Sequence, residues 1–116
     1  MPDLTLDCEL KEENIDFSYI DNIKKLEPFG MGNPEPVFLI KSARVKSSTA
    51  FFNDKHMRLN VEKGSKSLEA VGFGMGGFAN SLSFKNVIHI AASLGINEFR
   101  GVKKIQAKVK DIRIEK

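Results

Sequence analysis

Pro28-Phe29-Gly30-Met31-Gly32-Asn33-Pro34-Glu35-Pro36-Val37-Phe38 is the stretch that decides how this chain is organised. It holds three prolines and two glycines in eleven residues. Because proline fixes φ and disfavours a helical residue before it, a helix must end near Glu27. Glycine permits the positive φ of a turn, so the chain turns at residues 30–33 and leaves as an extended strand at Val37. The stretch therefore joins two parts of different structure.

The part before this turn, residues 1–36, predicts a short strand and a helix. Leu4, Leu6 and Cys8 alternate with polar residues, as in a half-buried edge strand. A helix is expected from Asp16 or Ser18, either of which can cap it, to Glu27. Its apolar stripe would pack on the second part of the chain and consists of Phe17, Ile20, Ile23 and Leu26. The single cysteine, Cys8, excludes an intrachain disulfide and is interpreted as structural.

Beyond Pro36 the apolar period changes to two, and five strands are predicted. They lie around Ala43 and Val45, around Met57, Leu59 and Val61, and over Ser67–Phe73, Val87–Ile96 and Arg100–Ile114. A polar loop is expected over Ser47–Lys55 and a helical turn over Phe78–Leu82. In the last strand Ile105, Ala107 and Val109 should face inward. Ile112 falls out of phase with them, which predicts a bulge near Lys110 and Asp111. The fold class is mainly β, and the pattern alone fits an oligonucleotide/oligosaccharide-binding (OB) barrel, an SH3-like barrel or a sandwich.

Charge divides the chain at the same place. Residues 1–36 hold nine acidic and three basic groups, net −6, whereas residues 37–116 hold six acidic and fifteen basic groups, net +9. A basic segment of this kind slightly favours a phosphate-bearing partner over merely solvated lysines. No stretch is long enough for a membrane span and no signal peptide opens the chain, so the sequence predicts a cytoplasmic protein with no membrane partner.

The turn stretch, together with Glu69–Gly74, Asn97–Gly101 and Gln106–Ile112, resembles the C-terminal region of the RecJ family of single-stranded-DNA-specific exonucleases. The resemblance implies a fragment: residues 1–36 as the end of a preceding domain and connector, and residues 37–116 as a five-stranded OB barrel that binds nucleic acid. It implies a parent enzyme that removes nucleotides from the 5′ end of single-stranded DNA with Mn or Mg, in repair and recombination. Expected partners are single-stranded DNA, the parent's upstream catalytic domains and a single-strand-binding protein.

The family's catalytic Asp-His-His and Gly-Gly-His motifs do not occur in this sequence. The fragment is therefore predicted to be inactive by itself and to hold no metal or cofactor. Its two histidines, His56 and His89, lie far apart, and their spacing supports no zinc site. His89 is interpreted as a hydrogen-bonded barrel residue. His56 is interpreted as a solvated residue at a strand end, with a phosphate contact as the alternative.

Single-strand binding requires cations to follow phosphates and aromatic faces to stack on bases, and the basic part supplies both. The predicted contacts lie on the first two strands, at the start of the last strand and along it: Arg44, Lys46, Arg58, Phe99, Arg100, Lys103, Lys104, Gln106 and Lys108. Phe51 and Phe52 are further candidates, one of them exposed. For Phe99 a core-capping role is an equal alternative. For the whole chain, a barrel that docks on the parent or on a single-strand-binding protein is the second hypothesis, and a self-sufficient enzyme is the third.

Overall fold

A computed structural model describes residues 8–24, 36–83 and 86–115 of the chain, and these are mostly β-strand. The elements are β1 (Cys8–Glu9), a 3₁₀ turn (Glu12–Asn14), α1 (Phe17–Lys24), β2 (Phe38–Phe51), β3 (His56–Lys63), β4 (Lys66–Gly72), α2 (Gly76–Ala79), β5 (Val87–Phe99) and β6 (Val102–Ile114). The predicted strand over residues 4–7, the end of the helix over residues 25–27 and the turn at residues 30–33 lie outside the described residues.

Strands β2 to β6 close into a barrel. β2, β3 and β4 form an antiparallel meander, β4 pairs with β6 in parallel, and β6 pairs antiparallel with β5. β5 then returns to β2, so each of these five strands has a neighbour on both sides. A five-stranded closed barrel with a short helix between its third and fourth strands is the OB arrangement, and the predicted fold class is confirmed.

The barrel interior follows the alternation read from the sequence. The side chains with no exposed surface include Ile40, Val45, Met57, Leu59, Val61, Ile88 and Ile90. On β6, Ala107 and Val109 are buried and Ile105 is half-buried, while Lys104 and Lys108 are exposed. The predicted register of β6 is therefore confirmed, although Gln106 is only half-exposed.

The strand pairing shifts register at three places, one of which lies on β2 between Ile40 and Ala43 and was not predicted. Ala91 pairs with Asp111 and Ala92 with Val109, so Lys110 is the extra residue and the predicted bulge is confirmed. A second bulge was not predicted: Val45 pairs with Val61 and Ser47 with Asn60, which leaves Lys46 as the extra residue.

The bulge at Lys46 also corrects a prediction. β2 continues past it to Phe51, so the expected loop over Ser47–Lys55 is wrong, and the connection to β3 spans only residues 52–55. Polar Ser48 fits inside because its hydroxyl donates a hydrogen bond to the carbonyl oxygen of Ala79, at the end of α2, at 2.8 Å.

The segment before the barrel packs on the turn between β3 and β4. Leu10 and Ile15 are buried within the barrel's own apolar core. The Ser65 hydroxyl donates to Glu12 Oε2 at 2.6 Å, and the hydrogen bonds from Ser65 hold the pKa of the Glu12 carboxyl below its ordinary value. Asp16 caps α1 by accepting the Tyr19 amide at 3.4 Å. Of the predicted helical stripe, Ile20 is buried but Phe17 is 43% exposed.

Candidate nucleic-acid interface

The outer face of β2, β3, β4 and β6 carries cross-strand rows of side chains, because paired residues point to the same side of a sheet. One row consists of Thr49, Arg58, Val71 and Lys108, and the next consists of Ser47, Asn60, Glu69 and Gln106. The strand pairing thus places two predicted DNA contacts, Arg58 and Lys108, in one row. Two strand spacings separate their backbones, a distance of about 10 Å.

Arg58 and Lys108 are both exposed. The Arg58 guanidinium lies 4.9 Å from the centre of the Phe51 ring. Within the described residues, neither cation lies within ion-pair distance of a carboxylate. Both charges are therefore available to an anionic ligand.

The side chains of the second row form hydrogen bonds with one another. Asn60 Nδ2 donates to Ser47 Oγ at 3.0 Å, and Gln106 Nε2 donates to Glu69 Oε1 at 2.8 Å. The Gln106 amide is therefore used by Glu69, whose carboxylate would repel a phosphate at this point. Of the remaining predicted contacts on β2, Arg44 is exposed opposite Glu62, and Lys46 is exposed on the bulge.

The hairpin between β5 and β6 carries the predicted contacts Phe99 and Arg100 at its tip. Phe99 is 69% exposed, which excludes a core-capping role. The Arg100 guanidinium lies 5.1 Å from the Phe99 ring centre. Arg100 and Gly101 have φ of 52° and 79°, so both central residues of this two-residue turn are left-handed. Such a turn favours Asn-Gly, and an arginine at its first position is unusual.

Lys103 and Lys104 follow this tip and line a cavity of about 440 Å³ between the barrel and residues 15–17. Lys66 lines the same cavity, as do the carboxylate residues Asp16 and Glu69. The cavity is therefore of mixed charge. The structure brings Lys103 and Lys104 together there, and about 14 Å of strand β6 separates Lys104 from Lys108.

An aromatic cluster lies at the opposite end of the face, where β2 ends, β3 begins and β4 ends. We define it as Phe51, Phe52, His56 and Phe73. The His56 ring is 5.5 Å from Phe51, 5.8 Å from Phe52 and 5.3 Å from Phe73, measured between ring centres. Phe52 is 68% and Phe73 58% exposed. The sequence predicts Phe51 and Phe52 as stacking candidates but not Phe73, whose only signal is its place directly after a strand.

Both histidines have definite partners. His56 Nδ1 accepts the backbone N–H of Gly74 at 2.8 Å, so His56 is held in the cluster. His89 Nδ1 accepts the N–H of Ser42 at 3.1 Å, and its Nε2 lies 3.8 Å from a Glu115 oxygen. The interpretation of His89 as a hydrogen-bonded barrel residue is confirmed.

The described ranges contain no group of three or more His, Cys, Asp or Glu side chains that could hold a metal ion. Divalent Mn or Mg takes several oxygen ligands at one point, so the described residues do not fit such an ion. Over the same ranges, no helix is long and apolar enough to cross a membrane.

Comparison with known proteins gives matches over most of the chain. The model of the family described as RecJ OB domain matches residues 6–111. A single-stranded-DNA-specific exonuclease RecJ from Bacillus subtilis (strain 168) is 30% identical over 103 residues, which cover 88% of this chain and 13% of that protein. The chain thus spans about an eighth of the length of this relative.

Solved structures agree on the fold. RecJ from Thermus thermophilus in complex with Mn²⁺ matches with a TM-score of 0.73 at 22% identity, over 97% of this chain and 16% of that one. A structure of the same protein in complex with Mg²⁺ gives a TM-score of 0.70 at 21% identity, over 97% of this chain and 17% of that one. The SSB domain of a Synechococcus protein matches with a TM-score of 0.53 at 13% identity, over 66% of this chain and 91% of that domain.

Proposed function

We propose that this chain, which belongs to the RecJ OB domain family, is the module with which a RecJ-type exonuclease holds single-stranded DNA. The parent would remove nucleotides from the 5′ end of that DNA in repair and recombination, in the cytoplasm. Cutting would be carried out by upstream domains with Mn or Mg. The chain's own contribution would be binding.

The observation that carries this proposal is the row containing Arg58 and Lys108. Two exposed cations without carboxylate partners in the described ranges lie on strands of the outer face whose backbones are about 10 Å apart. In OB barrels the face around the second and third strands and the two hairpin loops flanking it bind oligonucleotides. Arg58 lies on the second barrel strand; the exposed Phe52 lies in the first of these hairpin turns, and the exposed Phe99 directly precedes the second. Cations and aromatic faces are the two elements that single-strand binding requires.

The proposed binding mode uses these elements in sequence along the face. Phosphates would lie on the Arg58–Lys108 row, and the strand would then run toward the tip that carries Phe99 and Arg100. Lys103 and Lys104, which line the cavity next to that tip, would attract the backbone there. Glu69 lies between the Arg58–Lys108 row and the tip. The DNA backbone would therefore contact Arg58 and Lys108 and stay away from the Glu69–Gln106 pair.

Fluorescence anisotropy with a labelled, unstructured oligonucleotide tests the proposal. On single strands, log affinity falls linearly with log salt with a slope of about −0.7 for each phosphate contact, so a titration from about 0.05 to about 0.5 M salt measures the number of contacts. The same sequence as a duplex is the control and should bind more weakly, because paired bases cannot stack on side chains. A slope near zero, or equal affinity for the duplex, would contradict the proposal.

A second titration addresses the protein-docking hypothesis. A labelled acidic peptide that mimics the tail of a single-strand-binding protein can be titrated with the chain in the same anisotropy assay. Tight binding of the peptide by a chain that shows no affinity for the oligonucleotide would establish docking as the function instead.

A further inference from the structure

We propose that the aromatic cluster is a preformed site for one unpaired nucleobase, with the Phe52 ring as its stacking surface. This inference rests on the proposed function and deepens it, since it assigns the base contact to residues outside the Arg58–Lys108 row. It also separates the two ends of the face: the cluster binds a base, and the row binds phosphates.

The rings are arranged around His56. Phe52 is nearly parallel to the imidazole, with an interplanar angle of 26°, whereas Phe73 meets the imidazole edge-on at 74°. One face of the Phe52 ring therefore lies against His56. With 68% of its surface exposed, Phe52 retains open surface on which a base can stack.

A contribution to folding stability does not explain why a phenylalanine occupies position 52. Phe52, Asn53 and Asp54 have φ of 55°, 57° and 61°, three successive left-handed residues. Asn and Asp adopt this conformation readily, but a bulky residue is an outlier there. Because Phe52 combines an unfavourable backbone conformation with a largely exposed side chain, its place in the turn points to a ligand.

Contacts with α2 hold the turn between β2 and β3 in this conformation. The N–H of Gly76 donates to the carbonyl oxygen of Lys55 at 3.0 Å, and a Cβ at residue 76 would lie 1.9 Å from the carbonyl oxygen of Asp54. Glycine at this position therefore lets α2 approach the turn closely. The cluster is pre-organised, so binding would not have to order it.

The charges next to the cluster favour a nucleotide over an apolar protein surface. Arg58 lies over the Phe51 ring, and Lys108 shares the row of Arg58. In the turn itself, the positive charge of Lys55 and the negative charge of Asp54 cancel. A base in the cluster would thus have its phosphate near the row. Since His56 Nδ1 accepts the Gly74 N–H, the neutral imidazole carries its proton on Nε2, where it can donate to a base oxygen or nitrogen.

The test uses the absence of tryptophan from the sequence. Phe52→Trp introduces a single indole, whose fluorescence should be quenched when an oligothymidine is added, because stacking brings a base against it. Ile114→Trp is the control: residue 114 is 38% exposed and pairs with Ile88 on β5, and its indole should be unaffected. In anisotropy, Phe52→Asn should bind about tenfold more weakly, within the range for loss of one base–aromatic stack. Phe52→Tyr should bind like the wild type.

The outcomes distinguish this inference from the proposed function. Wild-type chain that binds single strands, with Phe52→Asn unchanged in affinity and the Phe52→Trp indole unquenched, would overturn the site and leave the proposed function standing. Wild-type chain with no affinity for single strands would overturn both. Phe52→Asn should melt at or above the wild-type temperature, because asparagine relieves the left-handed turn. If Phe52→Asn instead loses stability, its weaker binding could follow from poorer folding, and the quenching of the Phe52→Trp indole then decides the inference. The tryptophan measurement remains decisive if the asparagine variant does not fold.

Discussion

Replacing Arg58 and Lys108 together by alanine should weaken single-strand binding by a predictable amount. Each side chain is exposed and lacks a carboxylate partner in the described part of the chain, so each is available for one phosphate contact. Loss of two contacts should reduce the salt slope on single strands by about 1.4, because each contributes about 0.7. At about 0.1 M salt this equals about 1.4 log units of affinity, roughly 25-fold, or about 1.9 kcal/mol.

The assay is the anisotropy titration at several salt concentrations, in which wild type and variant should converge as salt approaches about 1 M. Folding should be nearly unaffected, because exposed substitutions change the free energy of unfolding by about 0.5 kcal/mol or less and the Arg58–Phe51 contact adds about 0.5–1 kcal/mol at most. A urea titration of the free protein checks this.

Lys41→Ala with Arg113→Ala is the matched control. These side chains are 54% and 80% exposed, and their removal changes the net charge by the same amount. Residues 41 and 113 lie on the side of the barrel where β2, β5 and β6 pair. If the control loses as much affinity and slope as the Arg58/Lys108 variant, binding responds to net charge and the assignment of the row is wrong.

The remaining predictions concern the turns, the N-terminal segment and catalysis. Gly76→Ala should cost about 1–3 kcal/mol in urea unfolding, because the new Cβ meets the Asp54 backbone, whereas Gly77→Ala, with nothing within 4 Å of its Cβ, should not; equal effects would contradict the packing of α2. Arg100→Asn should stabilise the hairpin by about 1 kcal/mol and raise Tm, since asparagine tolerates left-handed φ, while it lowers oligonucleotide affinity. An unchanged affinity would assign Arg100 no binding role. The folded-state pKa of Glu12 lies below its ordinary 4.5, so its stabilising effect is present above pH 4.5 and is lost as pH falls through the folded value. Urea midpoints of wild type and Glu12→Gln should therefore differ most near neutral pH and converge in acid; a constant difference would contradict this. Finally, the chain incubated with end-labelled single-stranded DNA and manganese should release no nucleotides, and metal-dependent release abolished by substitution of one of its acidic residues would establish an enzyme.

The strands of the barrel could be predicted where their inward residues alternate, most regularly in β3 and in the first half of β6. Ala107 and Val109 set the phase of β6, and the shift at Ile112 revealed its bulge. The bulge at Lys46 gave no such signal, because the residues after it are Ser47, Ser48 and Thr49. Three small polar residues in a row predict a loop. In the structure, the hydrogen bond from the Ser48 hydroxyl to α2 explains why this polar side chain can face the inside of the barrel.

The site was harder to predict than the fold. Sequence alternation identified which cations point outward, but the pairing of Arg58 with Val71 and of Val71 with Lys108 depends on a parallel contact between distant strands. No local pattern encodes that register. The same holds for Phe73, whose ring meets His56 only because β4 ends beside the start of β3. Sequence could supply the chemical types of the contacts, whereas the fold supplied their grouping.

The burial of Leu10 and Ile15 in the barrel core determines where this barrel can be cut from the chain for a graft onto another protein. A graft cut at the proline-rich stretch of the sequence, residues 28–36, would leave behind two apolar side chains that the barrel packs against. It would also remove the short parallel strand Cys8–Glu9, which pairs with Phe38 and Leu39. A chimaera that exchanges this barrel for that of a relative should therefore take its upstream crossover before Cys8, so that the recipient receives the barrel together with the segment that covers its end.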